Sequence, residues 1–290
     1  TTTVVSMFQS YLFPISYAFA AFPVVALLFT LPFLIVQYRK HGYVNKVRAV
    51  VLYAFLLYLL NATFLVMLPL PATTHNAPLA EGAVQLVPLQ FIADIREETA
   101  VALHDPLGWW RLLTERAVLQ VVFNVLLTVP LGVLLRYYFR VGWLRGIALT
   151  FLFSLFIEIT QLTGIYGVFD HPYRVFDVDD LMTNTLGGVI GLLAADWLAG
   201  LLPRIEKLDA GVDVSAKRVS YTRRAVAFGF DFVLWLMLYG ICHALRVPFA
   251  YPVSVALYFV ALPYKTGGLT FGKWLVNIRV IGSGERVGLA

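Results

Sequence analysis

Seven stretches of roughly twenty mostly apolar residues recur along this chain of 290 residues, and they limit its fold more than any other feature. A run of that length crosses the roughly 30 Å hydrocarbon core of a bilayer as a helix, because a helix satisfies its own backbone polar groups. The runs lie at about 11–37, 49–70, 116–136, 145–164, 181–202, 224–245 and 250–264. They predict an all-α, polytopic helical membrane protein, in line with a mean hydropathy of +0.78. The polar loop 71–115, the charged linker 203–222 and the Gly-rich basic tail 265–290 are too polar to span.

The formal charge of +5 does not point to nucleic acid, because the basic residues fall mainly in loops beside apolar runs. Arg39, Lys40, Lys46 and Arg48 follow the first run, and Arg136, Arg140 and Arg145 separate the third from the fourth. Arg204, Lys207, Lys217, Arg218, Arg223 and Arg224 crowd the linker. All share one side if the N-terminus is outside, which puts the acidic stretches 94–105 and 170–180 outside and the tail inside. The linker reads as a domain boundary: before it polar residues gather at the outer ends of spans, after it at the inner ends. Cys242 is the lone cysteine, so no intrachain disulfide and no thiolate metal site is expected. The first run is long and lacks a basic flank, so no cleavable signal peptide is expected, and Thr1 without Met reads as a trimmed start.

The stretch 174–188, "RVFDVDDLMTNTLGG", carries the densest polar cluster. If the fifth helix begins near Asp177, then Asp177, Asp180 and Asn184 share one face at i, i+3 and i+7, while Asp179 points elsewhere as a cap. Acidic residues in a first turn also suit the helix dipole, so a mere capping cluster is one reading. The fourth span adds Glu158 and Gln161 at i, i+3, and a glutamate in lipid needs a partner. Arg174, in the connecting loop, is the nearest in sequence. The third span adds Asn124, followed by Pro130 and Gly132. Three helices thus send polar groups to one depth, and helix ends cap themselves without Glu158 or Asn124, so the convergence reads as a site.

Glu158, Asp177 and Asp180 suit general acid–base work, with like charges and burial raising one pKa. They equally suit a divalent cation through oxygen ligands, with Asn124, Gln161 and Asn184 as neutral donors. Arg174 suits a forked grip on phosphate or carboxylate, and a lipid phosphate would fit all these parts. His171, in a "DHPY" turn, reads as solvent-exposed, and Gly187, Gly188 and Gly191 as small residues for close helix packing.

"NVLLTVPLG" at 124–132, "EITQ" at 158–161 and "RVFDVDDLMTN" at 174–184 with its following glycines resemble the VanZ-like family, over roughly residues 50–202. "LVPLQ" at 86–90 is similar to that family's Asn-Leu-Ile-Pro-Phe loop element, with Gln85 where Asn is usual and Leu89 where Phe is usual. The resemblance implies a role in the bacterial cell envelope, at the plasma membrane, associated with resistance to teicoplanin-type lipoglycopeptides; it implies no settled reaction. Three readings stay open. The pocket binds or modifies a lipid-linked envelope molecule, with Glu158 as base or metal ligand, Asp177 and Asp180 assisting, Arg174 holding an anion and Asn124, Gln161 and Asn184 orienting it. The protein is a transporter or flippase. Or it is a non-catalytic adaptor whose polar cluster stabilises the bundle.

A second constellation follows the linker. Arg224 and Asp231, at i and i+7, lie about 10 Å apart along one helix face by helical rise. With "GGLTFGKWLVNIRV" downstream, Arg224, Asp231, Thr270, Gly272, Lys273 and Arg279 resemble the RDD family over 219–290. That family's pattern goes on to a further Asp and a third helix beyond these residues. The implied organisation is a VanZ-like domain at 1–202, the linker, and a partial RDD domain at 223–290. "GGLTFGK" lacks phosphate-loop spacing and Trp274 follows the lysine, so nucleotide is not an expected partner. Asp231 either pairs with Lys273 or Arg279, or serves an ion or proton path, and the tail reads as a re-entrant or interfacial hairpin near anionic headgroups. In the outer loop, Trp109 and Trp110 with the acidic residues around them suggest an amphipathic helix over 91–113, a lid or a passive surface helix.

Overall fold

The computed structural model of the chain describes residues 2–80, 82–98, 116–201, 212 and 219–281. It is helical almost throughout. The helices longer than four residues are α1 (Thr2–His41), α2 (Lys46–Met67), α3 (Gln90–Glu98), α4 (Arg116–Tyr137), α5 (Trp143–Leu162), α6 (Val178–Leu198) and α7 (Tyr221–Ala244). Then come α8 (Ala250–Val255), a π-helical segment (Ala256–Ala261), α9 (Leu262–Thr266) and α10 (Phe271–Leu275). Among the described residues six helices, α1, α2 and α4 to α7, are long and apolar enough to cross a membrane. Side chains such as Leu28 on α1 and Trp197 on α6 are 71% and 75% exposed, which water would penalise and lipid does not. The seventh apolar run is helical without interruption from Ala250 to Thr266, with a π segment at Ala256–Ala261, but it is shorter than the six, and the expected count of seven is not confirmed.

By contacts the chain forms two units, residues 1–23 with 52–205 and residues 24–51 with 206–290. Residues 24–51, which the sequence division placed with the first five spans, therefore associate with the C-terminal residues. The linker 203–222 lies mostly outside the described residues, as do Trp109, Trp110 and the second half of the helix expected at 91–113.

In the first unit the packing is set by missing side chains. A Cβ added to Gly187 would overlap the Val125 carbonyl and Thr128 on α4, and one added to Gly132 would overlap the Gly188 carbonyl on α6. A Cβ at Gly188 would run into Thr150 of α5. The expected small-residue face is real, and it lets α6 lie against both α4 and α5 at backbone distance. Thr128 Oγ1 donates to the Asn184 carbonyl at 2.5 Å across this seam. At the far end of the same helices, Arg136 holds Asp196 through two nitrogens, at 2.7 and 3.4 Å.

The all-α fold carries one small exception that positions the site. Two-residue strands β1 (Val84–Gln85) and β2 (Phe176–Asp177) pair in parallel, Val84 beside Phe176 and Gln85 beside Asp177. This pins the loop after α2 to the entrance of α6. A second clasp lies nearby: Asn76 Nδ2 donates to the His171 carbonyl at 2.8 Å and the His171 N–H returns to Asn76 Oδ1 at 3.0 Å. The His171 side chain stays exposed, as expected.

Candidate functional site

The entrance of α6 is built by its own acidic residues. Asp177 is the N-cap, and its carboxylate accepts the Asp179 N–H at 2.8 Å. This corrects the capping role expected of Asp179, because Asp177 is the last extended residue and so faces the free N–H groups of the first turn. Asp179 turns instead to the start of α3. Its two oxygens accept the N–H groups of Leu89 at 2.6 Å and Phe91 at 2.9 Å, capping the start of α3. Leu89 adopts a left-handed backbone, φ 65°, to make that turn. The "LVPLQ" element is therefore docked on "DVDD", and Gln85 Nε2 reaches Asp177 Oδ1 at 3.4 Å.

Asp180 faces α4. Asn124 Nδ2 donates to its Oδ1 at 2.5 Å, and Gln120, one turn earlier, hydrogen-bonds the same carboxylate. Asp177, Asp179 and Asp180, with Gln120, Thr183, and Phe91 and Asp94 of α3, enclose a cavity of about 30 Å³. That holds about two waters and excludes a lipid headgroup while α3 stays in place. Burial pushes the Asp177 carboxyl above the usual range; the Asp179 N–H opposes this, and the charges of Asp179 and Asp94 add to it. Asp177 thus takes up a proton more readily than an ordinary aspartate.

The other expected residues go elsewhere. Glu158 is 1% exposed, lies outside the cavity wall, and accepts the backbone N–H of Asp177 at 3.1 Å. It braces β2 from behind. Gln161 Nε2 and Arg174 Nη1 both donate to the Val66 carbonyl at the end of α2, at 2.9 and 2.6 Å. Arg174 is therefore not the direct partner of Glu158, since an unsatisfied helix-end carbonyl takes its hydrogen bond; it stays exposed within electrostatic reach of Glu158 and Asp180. Asn184 lies one turn below the cavity and donates to Ser154 Oγ at 2.9 Å. Its Oδ1 is a buried atom with no hydrogen-bond partner among the described residues. The cation set proposed from Glu158, Asp177 and Asp180 is not assembled: no three His, Cys, Asp or Glu side chains among the described residues could hold a metal ion. Asp177 is turned into its own helix cap and Glu158 onto a backbone N–H, so the three carboxylates do not share a focus.

Gln120, Asp94, Thr183 and Ser154 were missed as site residues. Gln120 had a readable signal, because it precedes Asn124 by one helical turn on the same face. Asp94 had none beyond its place on an amphipathic stretch.

In the second unit, Asp231 is 3% exposed and accepts three donors: Tyr258 Oη at 3.0 Å, Thr270 Oγ1 at 2.5 Å and the Gly272 N–H at 2.7 Å. Its hydrogen-bond partners are neutral donors, not Lys273 or Arg279 as expected, because α10 starts against it and presents a cap hydroxyl and free N–H groups. A buried cation does lie near the start of α7, Arg223, whose three guanidinium nitrogens bond the carbonyls of Val276, Gly42 and Asn277. Arg224, Asp231, Lys273 and Arg279 do line one cavity, of about 440 Å³.

A family model of VanZ/LLP1 proteins matches residues 55–199, which take in α4, α5, α6 and the docked "LVPLQ" element. Over 74 residues the chain is 34% identical to Protein VanZ of Enterococcus faecium, an alignment covering 25% of this chain and 42% of that protein. The chain thus spans less than half the length of that curated relative. No solved structure matches it. With the matched range covering half of its residues and all of the acidic cavity, this integral membrane protein belongs to the VanZ/LLP1 family.

Proposed function

We propose that the cavity under α3 is the polar end of a binding site for a lipid-linked molecule of the bacterial cell envelope. It faces the outer leaflet, binds or modifies that molecule, and so contributes to teicoplanin-type lipoglycopeptide resistance. One observation carries the reading. Carboxylates of Asp94, Asp177 and Asp180 and the Gln120 amide line a space closed by a nine-residue helix, whose first turn is held by Asp179. Displacing α3 would open the space to a headgroup rich in hydroxyl or amine donors. Asp180, held by Asn124 and Gln120, would orient that headgroup. Asp177, with its raised pKa, would exchange a proton with it, and Arg174 at the exposed rim would meet a phosphate. Glu158 is a positioning residue in this scheme, setting β2 and through it Asp177.

The test is glycopeptide susceptibility of cells expressing Asp180→Asn, Asp177→Asn and Glu158→Gln at matched membrane abundance. Loss of resistance with Asp180→Asn supports the site. Retention in all three variants would favour the adaptor reading. The column Asn184–Ser154 below the cavity favours a second reading, a carrier that moves a polar group inward, which lipid-flip assays in vesicles would separate. The likeness of 219–290 to the RDD family stands as part of the same proposal, supported by four motif residues meeting at one cavity.

A further inference from the structure

The second unit holds a cavity to which the envelope reading assigns no ligand. At about 440 Å³ it falls within the range of small-molecule sites, in contrast to the two-water space under α3. Three cations line it: Arg224 from the first turn of α7, Lys273 from α10 and Arg279 from the segment after it. Among the described residues no carboxylate forms an ion pair with any of the three. Asp231 also lines the cavity, but Tyr258, Thr270 and Gly272 already hold its oxygens, so it adds one negative charge to three positive ones and takes no cation for itself. The rest of the wall is largely apolar and includes Phe228, one turn past Arg224 on α7, and Phe259 on the π segment.

The arrangement is graded. The Arg224 end of α7 is its membrane boundary, while Phe228 and Asp231 lie one and two turns deeper, about 6 and 10 Å by helical rise. Arg224 at the helix end with the Phe228 ring one turn below it matches the layering of a lipid, phosphate at the surface and hydrocarbon inside, and Lys273, from the start of α10 beside Asp231, reaches the phosphate on a long apolar stem. A soluble anion would gain from the cations and nothing from the rings; a neutral lipid would gain from the rings and leave three cations uncompensated. We infer that this cavity binds an anionic phospholipid, its phosphate held by Arg224, Lys273 and Arg279 and the start of its acyl chain against Phe228 and Phe259.

Native mass spectrometry of the full chain tests this, with phosphatidylglycerol and phosphatidylcholine offered in equal amounts from the same detergent. The wild type should retain phosphatidylglycerol preferentially, by about tenfold given the usual attraction of basic side chains for anionic headgroups. The Arg224→Gln/Lys273→Gln/Arg279→Gln variant should lose that preference. Phe228→Trp keeps every charge, narrows the cavity and should lower retention; it decides the matter if the triple variant fails to fold. Undiminished preference in the folded triple variant, or undiminished phosphatidylglycerol retention in folded Phe228→Trp, overturns the site. Adding inorganic phosphate at millimolar concentration is the remaining arm: no displacement supports a lipid, whereas full displacement overturns the lipid in favour of a soluble phosphate.

Discussion

The carboxylate of Asp179, in the first turn of a membrane-spanning helix, accepts the backbone N–H of Leu89 at 2.6 Å, ninety residues earlier in the chain. Its other oxygen takes the Phe91 N–H, so one side chain caps the helix that roofs the acidic cavity. The roof and the floor of the site are joined by this single residue and by the two-residue β1–β2 pair beside it.

Asp179→Ala should therefore free α3 without unfolding the bundle. Two charge-assisted hydrogen bonds are lost, on the order of 2 kcal/mol of local stability. Hydrogen exchange at the amides of 86–98 should rise by roughly tenfold or more, with the amides of α4 and α6 unchanged. Equal protection in variant and wild type would show that the clasp lies elsewhere.

Asp177 separates capping from charge. Asp177→Ala should lower stability by about 1 kcal/mol through the lost cap, whereas Asp177→Asn keeps an N-cap acceptor. The folded-state pKa is raised, so the protonated carboxyl is the one the fold favours. Its contribution to stability is full below about pH 4 and is lost as pH rises through the folded pKa. Relative to wild type, Asp177→Asn should flatten this slope in melting temperature against pH and be no less stable at neutral pH. A steeper slope in the variant would contradict the assignment.

The glycine seam predicts sharp positional contrast. Gly187→Ala and Gly188→Ala each force a methyl into α4 or α5 and should cost about 1–3 kcal/mol by overpacking. Gly142→Ala has no neighbour within 4 Å of its added carbon and should be close to neutral. Melting temperatures of the purified variants in one detergent check the contrast.

Asp231→Asn replaces one of two acceptor oxygens by an amide donor, where Tyr258, Thr270 and Gly272 all donate. The Thr270 hydroxyl must then reverse and accept from the amide, and the other two hydrogen bonds lose their charge assistance, at a cost of about 1–3 kcal/mol. Thermal unfolding of this variant should be depressed, whereas Arg224→Gln, at an exposed helix end, should leave it nearly unchanged. Similar melting points for the two variants would mean that the three donors are not needed.

Spans were legible because hydropathy is a local property. The start of α6 at Val178 follows from Asp177 and the acidic turn after it, and the small-residue face of α6 follows from Gly187 and Gly191 spaced one turn apart. The π segment within the seventh apolar run was not legible, since Ala256–Ala261 carries no proline or glycine to mark it.

The sequence by itself determined that this is a multi-span helical membrane protein and that Asp177, Asp180 and Asn124 lie near one end of their helices. Both follow from period and composition, which a single chain segment carries alone. Which of those polar groups meet was decided only by the tertiary structure. Gln161 and Arg174 are drawn to the open carbonyl of Val66, Glu158 to the N–H of Asp177, and Asp179 to a loop ninety residues away. Each satisfies a backbone group stranded at a helix end or strand, and which group is stranded within reach depends on how helices distant in sequence are rotated and stacked, not on spacing within any one of them.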